Sequence, residues 1–397
     1  MEEEIRPRVD DWIERGEQYD LGLHKRAHEL GISGVLFPGE FGGSEEQHDF
    51  FHRVILWDEL ARCGGGMAFA GLSVTSMALP PILFAGSEEL KRRVAPALVR
   101  GEKLISLCIS EPHAGSDVMN LQATATKSAD GRSYVLNGVK KWISGGAQAS
   151  FFTVAARTGE PGVMGLSLFL VEAERAGVAV RKMKTQFDST HSTALVTLED
   201  VVVPAENLIG DENAGFFYIV QNLNKERHTI AVSGLRCART CYEETLRWAM
   251  TRETWGQKLV AHQLVRFKLA EMLRQIEQLQ DHVERVAFQF ASGTPDVDMA
   301  VDCSLLKVNA STIFEYCAKE ASTIFGGSSL MREGQGKTVE RLFREVNAIK
   351  IPGGAPDVLL DFAMREVQRQ AVKAEKKRLE RERASGAGAG AAPPPKM

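Results

Sequence analysis

The chain of 397 residues lacks the marks of several protein classes. No apolar run is long enough to cross a membrane, so we expect no membrane-spanning helix. Lys and Arg number 48 against 52 Asp and Glu, and a net charge of −4 argues against a nucleic-acid-binding protein. The hydrophobic fraction of 44% and the charged fraction of 25% are typical of a globular protein.

Cysteine is scarce and scattered, at Cys63, Cys108, Cys237, Cys241, Cys303 and Cys317. Cys237 and Cys241 are one helical turn apart, but no second close pair or His-x3-His follows, so we expect buried thiols and no metal site. Because no signal peptide is expected, we predict reduced thiols in an intracellular compartment.

The two ends of the sequence bear on localisation. The start, M-E-E-E-I-R, is acidic and unlike a mitochondrial transit peptide. Residues 384–397 are rich in Gly, Ala and Pro, which predicts a disordered tail. The tail ends in Pro395-Lys396-Met397, which is similar to a relaxed Ser-Lys-Leu peroxisomal address. We therefore expect a cytoplasmic or peroxisomal protein; alternatively, the tripeptide has no address function.

Residues 1–102 are predicted to form an N-terminal helical domain. Apolar residues recur at helical spacing over Asp49–Cys63 and again over Glu88–Leu98. Ser87 is the expected N-cap of the second helix, because Glu88 and Glu89 follow in its first turn.

Residues 103–210 are predicted to form a middle β domain. Short β-branched or aromatic segments occur at Leu104–Ile109, Tyr134–Leu136, Phe151–Ala155, Leu166–Val171, Val178–Met183 and Ala194–Leu198. Turn pairs such as Asp130-Gly131 and Asn137-Gly138 separate them. This pattern favours a small antiparallel barrel or sandwich.

Residues 211–383 are predicted to form a C-terminal four-helix bundle. Long amphipathic segments cover Gly215–Glu253, Gln263–Ala291, Asp298–Phe325 and Asp357–Gln370. The charged residues 373–383 are expected to be a solvated helix end. The fold class is therefore α+β, with helical, β and helical domains in that order.

Two motifs in the middle domain carry the functional signal. They are I-S-E-P-H-A-G-S-D at 109–117 and N-G-V-K-K-W-I-S at 137–144. Gly115 and Ser116 allow close backbone approach and offer a hydroxyl donor, while Trp142 offers a stacking face. Small residues, exposed amides and one large aromatic suit a flat heteroaromatic cofactor that carries phosphates.

The pairing of these motifs resembles the flavin-binding strands of the acyl-CoA dehydrogenase family. Further blocks agree in order and spacing: L-E-D-V-V-V-P (198–204), K-E-R (225–227), R-E-T-W-G (252–256), H-Q (262–263), I-F-G-G (324–327) and I-P-G-G-A-P-D-V (351–358). The later blocks are most similar to a fungal and eukaryotic branch, some members of which are fused to a cytochrome b5-like domain. The resemblance implies FAD as cofactor.

The family's reaction needs a base for the proton α to a thioester and a donor at the carbonyl oxygen. In one group of the family the base is a Glu in the C-terminal loop, where this chain has Gly353. In a second group, resembling isovaleryl- and long-chain-type enzymes, the base precedes an Arg on the first bundle helix, where Glu226-Arg227 stand here. The resemblance thus implies Glu226 as base, Arg227 as a supporting residue and the Gly353 N–H as carbonyl donor. The alternative is that Glu226 is an ordinary surface acid.

The resemblance also implies a set of flavin contacts. Ser144 would bond near N5, Ser116 would hold a pyrophosphate oxygen, and Arg252 would reach the phosphates of a neighbouring subunit's flavin. The full set is Leu107, Ile109, Ser110, Ser116, Trp142, Ile143, Ser144, Arg252, Trp255, His262, Gln263, Thr323, Gly326, Gly327, Ala355 and Asp357. Thr323, Ala355 and Asp357 depart from the residues usual in the family, all on the adenosine side. Leu72–Leu83 is the expected floor of an acyl pocket.

These implications predict a homodimeric or homotetrameric FAD-dependent acyl-CoA dehydrogenase. It would desaturate a fatty or branched acyl-CoA and pass electrons to an electron-transfer flavoprotein or another acceptor. Two alternatives stay open: an oxidase that passes electrons to oxygen, and a flavin-binding scaffold without activity.

Overall fold

A computed structural model describes residues 3–15, 20–62, 70–187 and 192–384. Cys63, the tail residues 385–397 and the side chains at 70–73 lie outside this description, so predictions made for them are not taken further. Within the described residues, no helix combines the length and the apolar character that crossing a bilayer requires.

The N-terminal part is helical, as the sequence predicts. Its helices are α1 (Arg6–Arg15), α2 (Gly22–Glu29), α3 (Phe50–Arg62), α4 (Ala70–Ala78), α5 (Pro80–Ala85) and α6 (Glu88–Val99). The side chain of Ser87 accepts the Leu90 N–H at 3.1 Å, so the predicted N-cap of α6 is present.

The middle part is one eight-stranded sheet with its own apolar core. Its strands are β1 (Ile105–Cys108), β2 (Thr124–Lys127), β3 (Ser133–Ile143), β4 (Phe151–Arg157), β5 (Leu166–Glu172), β6 (Val178–Lys182), β7 (Ala194–Pro204) and β8 (Leu208–Ile209). The order is β6-β7-β3-β2-β4-β5-β8, and β1 pairs in parallel with β4. Strands β4 and β5 are buried on both faces because helices cover one side and the β core fills the other.

The prediction of a turn at Asn137-Gly138 was wrong. Strand β3 runs through this pair, and its register with β7 shifts between Leu136 and Gly138. Gly138 has φ +150°, and a Cβ there would lie 2.5 Å from the Cβ of Ala123. The pair is therefore a bulge inside one long strand.

The C-terminal part contains the predicted helices and one more. They are α7 (Gly215–Thr251), α8 (Gln263–Ala291), α9 (Ala300–Phe325), α10 (Lys337–Lys350) and α11 (Pro356–Ala384), with a hairpin of β9 (Glu253–Thr254) and β10 (Gln257–Lys258) before α8. The sequence prediction lacks α10, whereas the solvated helix end expected over 373–383 agrees with α11 continuing to Ala384. Helix α10 packs Val339, Leu342 and Ile349 against the bundle, while Lys337 and Arg341 pair with Asp10 of α1.

Candidate active site

The predicted base, Glu226, lies on α7 at the junction of α7 with α4. The Nδ2 of Asn222, one turn earlier, donates to Glu226 Oε1 at 2.9 Å and to the carbonyl of Ser76 on α4 at 3.1 Å. Asn222 is buried, and Glu226 is partly buried. The carboxyl group is therefore held in one direction by a side chain that is itself fixed between two helices.

Burial raises the pKa of Glu226 to about 8, although the hydrogen bond from Asn222 and the charge of Arg227 both lower it. A carboxyl with a pKa near neutrality is suited to proton transfer, because it can both accept and release a proton at working pH. An ordinary surface acid would not show this shift.

Arg227 directs its guanidinium towards a turn after α10. Its Nε donates to the carbonyl of Gly353 at 3.1 Å, and its Nη1 donates to Ser304 Oγ of α9 at 3.3 Å. The side chain is 7% exposed. The two predicted motif positions, Glu226-Arg227 and Gly353, are thus neighbours in space although they are far apart in sequence.

Gly353 has a left-handed backbone with φ +69°, and an added Cβ would lie 2.8 Å from Ile230 Cδ1 of α7. Within the described part of the chain, the Gly353 N–H donates to no protein acceptor, whereas its carbonyl is engaged. Proton removal next to a carbonyl group needs a base and a hydrogen-bond donor for the carbonyl oxygen. The turn at Gly353 offers such a donor and is bonded by Arg227, the residue next to Glu226.

The two motifs of the middle part are joined directly. The Lys141 N–H of β3 donates to the carbonyl of Ser110 at 2.9 Å, and Lys140 Nζ donates to the carbonyl of Ile109 at 2.9 Å. Leu107, Ile109, Ser110 and Ser144 are partly accessible along this junction, and Ile143 is buried behind it.

A buried ion pair that the sequence analysis missed supports this junction. Lys140 Nζ lies 2.7 Å from Glu111 Oε1, and neither side chain is more than 1% exposed. Glu111 also accepts the N–H groups of Gln122 and Ala123. Burial raises the pKa of Glu111, but the Lys140 ammonium and these two N–H groups together lower this pKa more and hold it below its usual value.

Trp142 is presented to solvent by a strained backbone. Its φ is +61°, within a register shift between Lys140 and Ile143, and its side chain is 48% exposed. A non-glycine residue in this region costs free energy, and such strain concentrates at functional sites. Lys141 Nζ lies 4.7 Å from the centre of the indole ring. The bulge therefore displays an aromatic face next to a positive charge.

The remaining predicted contacts form a second group on the bundle surface. The Arg252 guanidinium lies 6.0 Å from the centre of the Trp248 ring, which stacks on Phe325 at 5.0 Å, so the C-terminal end of α7 meets the I-F-G-G segment. Trp255 is 91% exposed and packs edge-on against His262. Also exposed are Gln263, Thr323, Gly326, Gly327 and Asp357, whereas Ala355 is partly accessible and starts α11 by accepting the Leu359 N–H.

The accessible groups fit a flat ring that carries phosphates. Hydroxyls of Ser110, Ser116 and Ser144 and the indole of Trp142 are available in the first group. A Cβ added at Gly115, Gly326 or Gly327 would meet no described atom within 4 Å, so their backbones are open to a close ligand. The exposed guanidinium of Arg252 matches phosphate geometry.

Comparisons with known proteins agree along the chain. The models described as acyl-CoA dehydrogenase N-terminal, middle and C-terminal domains match residues 1–102, 106–201 and 213–368. The chain is 37% identical over 358 residues to the acyl-CoA dehydrogenase apdG of Emericella nidulans, covering 88% of this chain and 80% of that protein.

Solved structures of acyl-CoA dehydrogenases match the fold of this chain. A probable acyl-CoA dehydrogenase from Mycobacterium abscessus matches with a TM-score of 0.86 and 34% identity, over 92% of this chain and 95% of that one. An acyl-CoA dehydrogenase from Bacillus anthracis, solved in complex with FAD, matches with a TM-score of 0.84 and 30% identity, over 94% and 66%.

Fold and site together define an oxidoreductase of the flavoprotein class. The chain belongs to the acyl-CoA dehydrogenase family, whose members are FAD enzymes.

Proposed function

We propose that this enzyme removes hydrogens from the α and β carbons of an acyl-CoA thioester, with Glu226 as the base. The observation that carries the proposal is the Glu226 carboxyl, which accepts from Asn222 at 2.9 Å and whose pKa is raised to about 8, next in sequence to Arg227, which bonds the turn that contains Gly353. FAD, when bound, supplies the acceptor for the β-hydride.

Each residue has one role in the proposed reaction. The Glu226 carboxylate takes the α-proton, and Asn222 keeps the carboxylate directed towards it. The Gly353 N–H donates to the thioester oxygen, where negative charge grows as the proton leaves. Arg227 supports this donor by bonding the carbonyl of the same residue.

The cofactor would lie along the junction of β1 and β3. Ser110, Ser116 and Ser144 would donate to its polar atoms, and Trp142 would flank its ring. Arg252 and Trp255 would serve a neighbouring subunit, since both side chains are exposed on the bundle surface. This arrangement supports a homodimer or a homotetramer built from dimers.

The acyl chain would pass beside α4 and α5. Thr75, Ser76 and Ala78 are small and buried there, and the Ser76 carbonyl shares Asn222 with the base. A fatty or branched acyl group is the proposed substrate. An electron-transfer flavoprotein or another acceptor would take the electrons onward.

The decisive experiment adds a panel of straight and branched acyl-CoAs to the flavin-loaded enzyme without oxygen. Loss of the flavin's visible absorbance with at least one of them, and none with the Glu226→Gln variant, is the expected result. If no acyl-CoA bleaches the flavin, the enzyme proposal fails and the scaffold alternative takes its place. Hydrogen peroxide formed in air without an added acceptor would identify the oxidase alternative.

A further inference from the structure

Lys307 is a buried lysine in the middle of α9. Its side chain is fully buried, and Nζ donates to the carbonyl of Lys350 and, at 2.7 Å, to the carbonyl of Gly354. Among the described residues, no carboxylate forms an ion pair with it. The ammonium is therefore committed to backbone oxygens of a single short segment, residues 350–354, which we call the glycine turn.

Burying this cation is unfavourable. Desolvation, together with the charges of Arg227 and Lys350, lowers the pKa of Lys307 to about 7. A buried cation without a carboxylate costs free energy, so a sequence under pressure for stability alone favours an apolar side chain at this place. An amine donates to both carbonyls whether it carries a charge or not, because the neutral form still has two N–H bonds.

The bonds of Lys307 span the glycine turn. The Lys350 carbonyl is at the C-terminal end of α10, whereas the Gly354 carbonyl lies beyond the bend, just before α11. Between them, Arg227 bonds the carbonyl of Gly353. Capping α10 explains the first bond only, since a helix cap needs no contact on the far side of the turn.

The glycine turn needs such restraint. Gly353 and Gly354 have φ of +69° and +111°, and glycine loses more conformational freedom on ordering than any other residue. Two neighbouring glycines would sample many backbone directions, and the N–H of Gly353 would then point in many directions too.

We propose that Lys307 is a positioning residue: by holding the carbonyls on both sides of the bend, it fixes the Gly353 N–H towards the substrate carbonyl. The expected effect on kcat rests on the proposed function. The expected effect on the mobility of the glycine turn can be measured independently of it.

The test compares the full-length, FAD-loaded wild type with Lys307→Met, which fills similar space without donors. Hydrogen exchange measured by mass spectrometry reports the glycine turn, and kinetics with a substrate found in the bleaching panel report its effect. Lys319→Met is the matched control, because Lys319 is an exposed lysine on the same helix. If Lys307→Met does not fold, Lys307→Gln takes its place with the same expectations.

We expect Lys307→Met to speed exchange in the glycine turn and to lower kcat about 10-fold or more, with KM nearly unchanged, because the lost alignment matters in the transition state. Lys319→Met should match the wild type in the exchange of the glycine turn and in kcat. Unchanged exchange in the turn, or faster exchange with an unchanged kcat, overturns the inference. Absence of turnover in the wild type itself refutes the proposed function instead, and the exchange data then decide the restraint alone.

Discussion

The Nδ2 of Asn222 donates to Oε1 of Glu226 at 2.9 Å, one helical turn away on α7. This bond lowers the pKa of Glu226 against the larger effect of burial. Asn222→Leu should therefore raise the pKa further. We expect the rise of kcat/KM with pH to move to higher pH, while Gln221→Leu, an exposed neighbour, leaves it in place. An unmoved pH profile in Asn222→Leu would show that the bond does not tune the base.

Replacement of the base tests the core of the mechanism. Glu226→Gln keeps the shape and the hydrogen-bonding capacity of the side chain but cannot take a proton. We expect kcat to fall about 100-fold or more, in line with the contribution of a general base. The flavin content should stay at the wild-type level. Glu243→Gln, an exposed acid on the same helix, is the control. Near-normal turnover by Glu226→Gln would refute the assignment.

The raised pKa of Glu226 also predicts a pH dependence of stability. In the folded state the carboxyl group of Glu226 has a pKa of about 8, whereas its usual pKa is 4.5. Its contribution is fully present below the unfolded pKa and is lost as pH rises through the folded pKa. Glu226→Gln should therefore gain melting temperature relative to wild type between pH 5 and pH 9, on a scale of about 2 °C or more. Parallel melting curves at all pH values would contradict this.

The Lys140–Glu111 pair should be costly to break. Lys140→Met leaves Glu111 buried without its cation, and we expect a loss of about 3–5 kcal/mol in the free energy of unfolding. Urea denaturation measures it. Lys141→Met, at the neighbouring, more accessible lysine, should change stability by less than about 1 kcal/mol. Equal effects of the two variants would show that the pair contributes nothing specific.

The N-cap of α6 allows a smaller, local test. Ser87→Ala removes the acceptor of the Leu90 N–H and should cost about 1 kcal/mol, whereas Ser87→Asn should retain most of the stability. Chemical denaturation of the three proteins compares them. A Ser87→Ala variant as stable as the wild type would mean that water replaces the cap without loss.

Much of the fold could be predicted because a long amphipathic helix repeats its apolar positions over many turns. The stripes of α7, α8 and α9 and the cap at Ser87 are local signals, and the structure contains them. Asn137-Gly138 was misread as a turn because the same dipeptide also suits a bulge, and only the close approach of Ala123 decides between the two. Helix α10 was missed although Val339, Leu342, Val346 and Ile349 recur at helical spacing, so the signal was present in the sequence.

The candidate site was predictable in its residues but not in its connections. Motif order pointed to Glu226 and Gly353, yet the residues that hold them in place are Asn222, which bonds Glu226, and Arg227 and Lys307, which bond the turn at Gly353 and Gly354. These partners come from α7 and α9 and meet only after folding. Nothing in their local sequence distinguishes them from other helical polar residues.

One core cluster contains residues of all three parts of the chain, among them Leu79, Phe151, Leu168, Leu235 and Phe314. The segments on either side of the predicted border at residue 102 therefore bury their apolar surfaces against each other, and neither can do so alone. Excised helices α1–α6 would expose that shared surface and should aggregate. Heat should unfold the three parts in one transition. A substitution that destabilises the N-terminal helices should therefore also lower the temperature at which the site around Glu226 unfolds.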